Sequence, residues 1–172
     1  PFAVSNLIPA CYTPDMPIHP LADLPPLLAR RTCVLGLDYG SKHIGVAISD
    51  PDRCVASPLC TIERTTFARV LEQIWLLVVE RTVGGFIIGL PLQLDGSTGP
   101  AAQAARTFAR NLDRALDLPI ALWDERFSTA AIQRDLTERA DLSRAKRAAV
   151  VDKLAASYIL QGALDYLRNR TP

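Results

Sequence analysis

What this 172-residue chain lacks narrows its function before any motif is read. It has no excess of charge: 19 Lys and Arg stand against 18 Asp and Glu, a formal net charge of +1. That balance excludes a polybasic tail and an acidic disordered segment, and leaves nucleic-acid affinity to a local patch. It has no long hydrophobic run. The longest, Ile74 to Val79, is six residues, against the roughly 18 to 20 that cross a bilayer. The four cysteines, Cys11, Cys33, Cys54 and Cys60, form no C-x-x-C pair and have no His at ligand spacing. They read as free thiols, not as a zinc site or a disulfide framework. Pro9, Pro14, Pro17 and Pro20 interrupt any charged, apolar and small-residue order of a secretory signal, so a cytoplasmic protein is expected. What the chain does have is apolar mass: 49% of its residues are hydrophobic, enough for one domain with a sizeable core.

Residues 1 to 31 hold seven of the thirteen prolines and no apolar period, which reads as an extended, poorly ordered arm. Its Leu21, Leu24, Leu27 and Leu28 could instead dock on the domain or on a partner; a solvated arm is the favoured reading. From Cys33 the pattern turns to strands: Cys33 to Asp38, then Ile44 to Ile48 after the turn Tyr39-Gly40-Ser41-Lys42, then Cys54 to Ile62. Pro58 keeps the third off a central position. Three strands with short links predict an antiparallel meander. Phe67, Val70, Leu71, Ile74, Leu77 and Val78 fall on one stripe, predicting a helix over 65–82 that Gly84-Gly85 ends. Phe86 to Leu90 reads as a strand buried on both faces. A helix over about 100–116 follows, with Ala101, Ala105, Phe108, Leu112 and Leu116 as its core stripe. Ile120 to Trp123 is a fifth strand, and Ser128 can cap a helix to about Leu136. A basic connection with Arg139, Arg144, Lys146 and Arg147 then precedes a last helix packing through Val151, Leu154, Ala155, Tyr158, Gly162 and Ala163. The order β-β-β-α-β-α-β-α-α predicts an α/β domain, a mixed sheet covered by helices.

Acids fall where such a fold converges. Asp38 closes the first strand, before a turn whose Gly40 admits a polyanionic backbone. Asp124 and Glu125 close the fifth, and Asp152 lies on the last helix before the small pair Ala155-Ala156. Gathered together, such carboxylates repel unless hard cations such as magnesium or manganese neutralise them, and phosphodiester hydrolysis uses that arrangement. Each acid taken alone is better explained by solvation or by a nearby Arg. Arg126 has the planar fork that suits phosphate, or else pairs with Asp124 or Glu125. Lys42 could touch phosphate or be merely exposed. Arg144, Lys146 and Arg147 could form a phosphate-tracking surface or a solvated helix start.

Four blocks carry a resemblance: Leu35 to Asp50 (LGLDYGSKHIGVAISD), Ile88 to Gly96 (IGLPLQLDG), Trp123 to Thr129 (WDERFST) and Val151 to Gln161 (VDKLAASYILQ). In order and spacing they resemble the YqgF (RuvX) family, over residues 33 to about 168. The resemblance implies an RNase H-like fold, a mixed five-stranded sheet flanked by helices over 32–172. It also implies kinship with RuvC Holliday-junction resolvases and a nuclease that processes the 5′ end of pre-16S ribosomal RNA. It implies Asp38, Asp124 or Glu125, and Asp152 as catalytic and Mg²⁺- or Mn²⁺-binding acids. Because successive strand residues face opposite ways, Asp124 and Glu125 should not both point into the site; Glu125 is slightly preferred. Gly40, Lys42, Gly45, Gly96 and Arg126 fall at motif positions shaping the substrate groove. The chain departs at Ser41, where Thr is common, and at His43, where Arg is common, so a phosphate contact does not carry over to residue 43. The implied partners are an rRNA precursor, ribosomal particles or branched DNA, for a monomer or homodimer. Two other classes stand beside this reading: a non-catalytic nucleic-acid-binding factor in ribosome maturation or transcription, and an actin-like phosphotransferase suggested by Gly36 to Ser41. The last needs a second domain to enclose ATP.

Overall fold

The structure is a computed structural model that describes residues 18–127 and 144–170. Five strands, β1 (Cys33–Tyr39), β2 (His43–Ser49), β3 (Ala56–Glu63), β4 (Val83–Leu90) and β5 (Ile120–Asp124), form one sheet in the order β3-β2-β1-β4-β5. β1, β2 and β3 are the antiparallel meander; β4 and β5 join parallel to β1 through crossover helices α1 (Phe67–Arg81) and α2 (Pro100–Ala115). β3 is an edge strand, and its Pro58 meets Ala47 where the register shifts, so its missing N–H costs the ladder little.

Period-two alternation divides the sheet between two cores. On one face Leu35, Leu37, Ile44, Val46, Phe86 and Ile88 meet Val70, Ile74 and Val78 of α1 and Phe108 and Leu112 of α2. On the other, Val34, Ala47, Ile87, Ala121 and Trp123 meet the last helix, α3 (Arg144–Arg168), through Ala156, Ile159, Leu160, Ala163 and Leu164. Gly36 lets α3 settle close: a Cβ there would lie 2.6 Å from Leu160 Cβ and 3.1 Å from the Ala156 carbonyl oxygen.

Several expectations are corrected. Gly84-Gly85 does not stop α1; Thr82, left-handed at φ 52°, does, and both glycines lie inside the fully buried β4. They are there for close approach, since a Cβ on Gly84 would strike the Thr32 side chain and one on Gly85 would come within 2.6 Å of Leu28 Cδ2. Residues 18–31 are correspondingly not a solvated arm. His19 bridges to Ala121, two 3-10 turns follow (Leu21–Asp23 and Pro25–Leu27), and Leu21, Leu24 and Leu28 complete the α3-side core, leaving Leu27 exposed. Ala101 is exposed, with Ala102 and Ala109 buried in its stead. Arg144, Lys146 and Arg147 belong to α3 and not to a connection. The helix expected from Ser128 to about Leu136 lies outside the described residues, as does Cys11. Cys33, Cys54 and Cys60 are free thiols. Among the described residues no helix is long and apolar enough to cross a membrane.

Candidate active site

On the α3 side of the sheet, at the C-terminal ends of β1, β4 and β5, stand two of the acids, Asp38 and Glu125. Gly36 faces α3, so Asp38, two residues on, shares that face. Its antiparallel partner is Gly45. On the other side Leu37 pairs with Ile88, which places the next residues, Asp38 and Gly89, side by side about 4.8 Å apart. A half-buried carboxylate thus stands between two strand positions that carry no side chain.

Glu125 fills the space over one of them. Trp123 pairs with Gly89 and belongs to the α3-side core, so Asp124 turns to the opposite face and Glu125, opening a 3-10 turn (Glu125–Phe127), returns to the first. Its carboxylate lies where a Gly89 Cβ would stand, beside Ile159, and the residue is only 8% exposed. Burying a carboxylate is costly unless a charged or hydrogen-bonding partner offsets it.

Asp124 does different work. Its Oδ1 accepts the Arg126 backbone N–H at 3.0 Å, and both its oxygens accept from the Arg126 guanidinium, Nη2 to Oδ2 at 2.7 Å. The guanidinium hydrogen bonds hold the Asp124 carboxyl below the usual carboxylate range. The chelate fixes the turn that carries Glu125 and seats Arg126 against the 93–97 loop. There Gly96, at φ 84°, leaves room for Arg126 Nη1, 3.1 Å from where a Cβ would be.

At the β1–β2 turn Gly40 is close-packed, a Cβ on it falling 2.8 Å from the His43 carbonyl oxygen, while Lys42 is exposed. Arg64 clamps this turn, donating from Nη1 to the carbonyls of Gly40 (2.7 Å) and Ser41 (3.0 Å). Residue 152 lies on α3 one helical turn before Ala156, hence toward the Asp38 end of β1. Its side chain, like those of Arg144, Lys146 and Arg147, lies outside the described residues.

The structure therefore brings together Asp38, Gly45 and Glu125 on one face, sets Asp124 with Arg126 and Gly96 to the side, and leaves Lys42 on a nearby turn. Sequence reasoning missed Gly89 and Arg64. A lone glycine in an apolar strand is the signal that could have found Gly89; nothing in the spacing marked Arg64. Among the described residues no three His, Cys, Asp or Glu form a group able to hold an ion. The Asp38–Glu125 pair, oxygen donors only, one flanked by glycines and the other buried, fits two ligands of a hard divalent cation with a third to come from elsewhere.

Residues 32–166 match the RuvX family model, described as "Holliday junction resolvase". A protein of Rhodopseudomonas palustris (strain BisB5) described as "Putative pre-16S rRNA nuclease" is 53% identical over 151 residues, 88% of this chain and 94% of that one. Another of the same description, from Phenylobacterium zucineum, is 52% identical over 155 residues, 90% and 99% of the two chains. Among solved structures, T. thermophilus RuvC in complex with Holliday junction substrate superposes with a TM-score of 0.51 at 14% identity, covering 81% of this chain and 97% of that one. At that identity the likeness is one of fold, and the fold is the mixed five-stranded, RNase H-like sheet that the four sequence blocks led us to expect.

Proposed function

Because this chain belongs to the RuvX family of nucleases, we propose that it hydrolyses phosphodiesters of structured RNA with Mg²⁺ or Mn²⁺, its substrate being the 5′ end of pre-16S ribosomal RNA. Asp38, Glu125 and Asp152 are the residues proposed to hold the ion. The observation that carries this reading is the carboxylate pair: Asp38 between two glycines, and the buried Glu125 lying over one of them. When bound, a divalent ion supplies the charge that activates the attacking water and offsets the departing oxygen. The protein's own residues do the placing. Gly45 puts no side chain beside Asp38 on one flank, and Gly89 on the other leaves the room that the Glu125 carboxylate takes. The Asp124–Arg126 chelate keeps the Glu125 turn from swinging away. The exposed Lys42 meets the phosphate chain from the turn.

The test is cleavage of precursor rRNA and of four-way DNA junctions, each with magnesium and with manganese, by the wild-type chain and by Asp38→Asn. The reading expects cuts on the 5′ side of the 16S sequence that Asp38→Asn abolishes. An inert wild-type protein, or an Asp38→Asn variant that cuts at the wild-type rate, overturns it. Junction cleavage with precursor RNA left intact would instead assign a DNA resolvase, a reading supported by the description of the family model.

A further inference from the structure

A groove of about 530 Å³ opens at the same end of the sheet as Asp38 but on the opposite face, between the first turn of α1 and the stretch of α2 from Pro100 to Asn111. Its lining includes Tyr39, Arg64, Phe67, Thr107, Phe108 and Arg110. Tyr39 follows Asp38 directly, and alternation sends its ring to the far side of the strand.

The groove has the chemistry of a nucleotide site. No acidic residue lines it among the described residues, whereas two guanidinium groups do. Neither has a carboxylate partner there: Arg64 is spent on two carbonyls and on the Tyr39 ring, 4.1 Å from its centroid, and Arg110 on the Thr107 hydroxyl at 3.4 Å. Their positive charges are uncompensated and face a groove of a size typical for small ligands. The floor is aromatic. Tyr39 and Phe108 stack at 4.4 Å, Phe67 meets Phe108 edge-on at 6.3 Å, and Phe67 keeps 37% of its surface exposed. Arg64 and Phe108 occupy the two faces of Tyr39, so the exposed Phe67 is the ring left for a base.

We infer that this groove holds a nucleotide flanking the cleaved bond, its phosphate facing Arg64 and Arg110 and its base against Phe67. The inference rests on the nuclease reading for the word "flanking", but the binding site stands on the groove itself. A nucleic-acid strand laid over the end of β1 reaches Asp38 on one side and Tyr39's groove on the other. Arg64 then serves both, holding the turn after Asp38 while its charge faces the flanking phosphate. The recognised feature, a phosphate with an adjoining base, needs no sequence specificity.

The experiment is fluorescence anisotropy of a labelled single-stranded oligoribonucleotide with the full chain in EDTA, where no cutting occurs, across a series of KCl concentrations. Arg110→Ala is expected to weaken binding about five- to tenfold and to reduce the slope of log K against log salt by about one. Phe67→Ala should weaken it about fivefold with the slope unchanged. Arg81→Ala, at the far end of α1 and paired with Glu80, should bind as wild type. Arg110→Ala and Phe67→Ala both within twofold of wild type would overturn the inference. Displacement of the oligonucleotide by micromolar 5′-AMP would overturn it too, marking a mononucleotide site. The two readings fail separately. Cleavage that Asp38→Asn abolishes, with oligonucleotide binding indifferent to both Arg110 and Phe67, retains the nuclease and removes the groove. An inert wild type whose binding depends on Arg110 does the reverse.

Discussion

At the scale of single residues, adjacent Asp124 and Glu125 have been given different tasks by one turn of backbone. The last residue of β5 points away from α3, and the first residue of the 3-10 turn points toward it, so one carboxylate is chelated by Arg126 while the other is buried over Gly89. Alternation in the sequence said that only one could face inward; it did not say which, because the choice depends on where the strand ends. The consequence is measurable. Glu125→Gln keeps the shape and removes the charge, and should reduce cleavage by well over the 10- to 100-fold typical of supporting residues, whereas Asp124→Asn should fall within that range. Comparing kcat for the two variants at saturating Mn²⁺ checks this; equal losses would mean that Asp124 is as close to the reaction as Glu125. The thiols divide as sharply. Burial pushes Cys60 and Cys33 up from the usual thiol range, while Cys54 is exposed. At pH 8 a disulfide reagent should label Cys54 before Cys33 or Cys60, as read by peptide mass mapping. Labelling of Cys60 first would contradict the burial seen here.

At the scale of elements, most of the strands and helices that bury an alternating or 3.6-period stripe were legible, and the larger misreadings concern glycine and proline. Glycines 84 and 85 punctuate nothing; they make room inside β4 for Thr32 and Leu28. Prolines 20, 25 and 26 argue against an α-helix, but they do not stop a chain from folding as successive 3-10 turns whose leucines at 21, 24 and 28 point one way. Composition alone could not separate those cases, because the partner surface for the leucines is made by β4, β5 and α3, far along the chain. Leu24 is fully buried in that contact. Leu24→Ala should therefore cost about 2–5 kcal/mol in urea unfolding, while the exposed Leu27→Ala should be nearly silent. A silent Leu24→Ala would show that the segment does not dock in solution.

At the scale of the whole molecule, a sheet sandwiched between two cores leaves its strand ends as the place where charge collects, and that was visible from Asp38, Asp124 and Glu125 before any coordinates. The bonds that anchor the turn from β2 to β3 were not, because they run to backbone N–H groups and follow no side-chain pattern. Asp50 Oδ1 accepts from the N–H groups of Val55 (2.8 Å) and Cys54 (2.7 Å), and these bonds hold its carboxyl below the ordinary value. Asp113 on α2 goes the other way, raised by burial. Linkage gives the two opposite signs. A depressed carboxyl contributes stability that is present above the unfolded value, about 3.9, and is lost as pH falls through the lower folded value. A raised one contributes below the unfolded value and loses that contribution as pH rises through the higher folded value. Asp50→Asn should therefore unfold at lower urea than wild type at pH 7 and converge on it in strong acid. Asp113→Asn should be the more stable at pH 7 and lose its advantage below about pH 4. Urea midpoints of both variants from pH 7 down to pH 2 decide the matter, since curves that run parallel to wild type throughout would mean that neither carboxyl titrates differently in the folded chain.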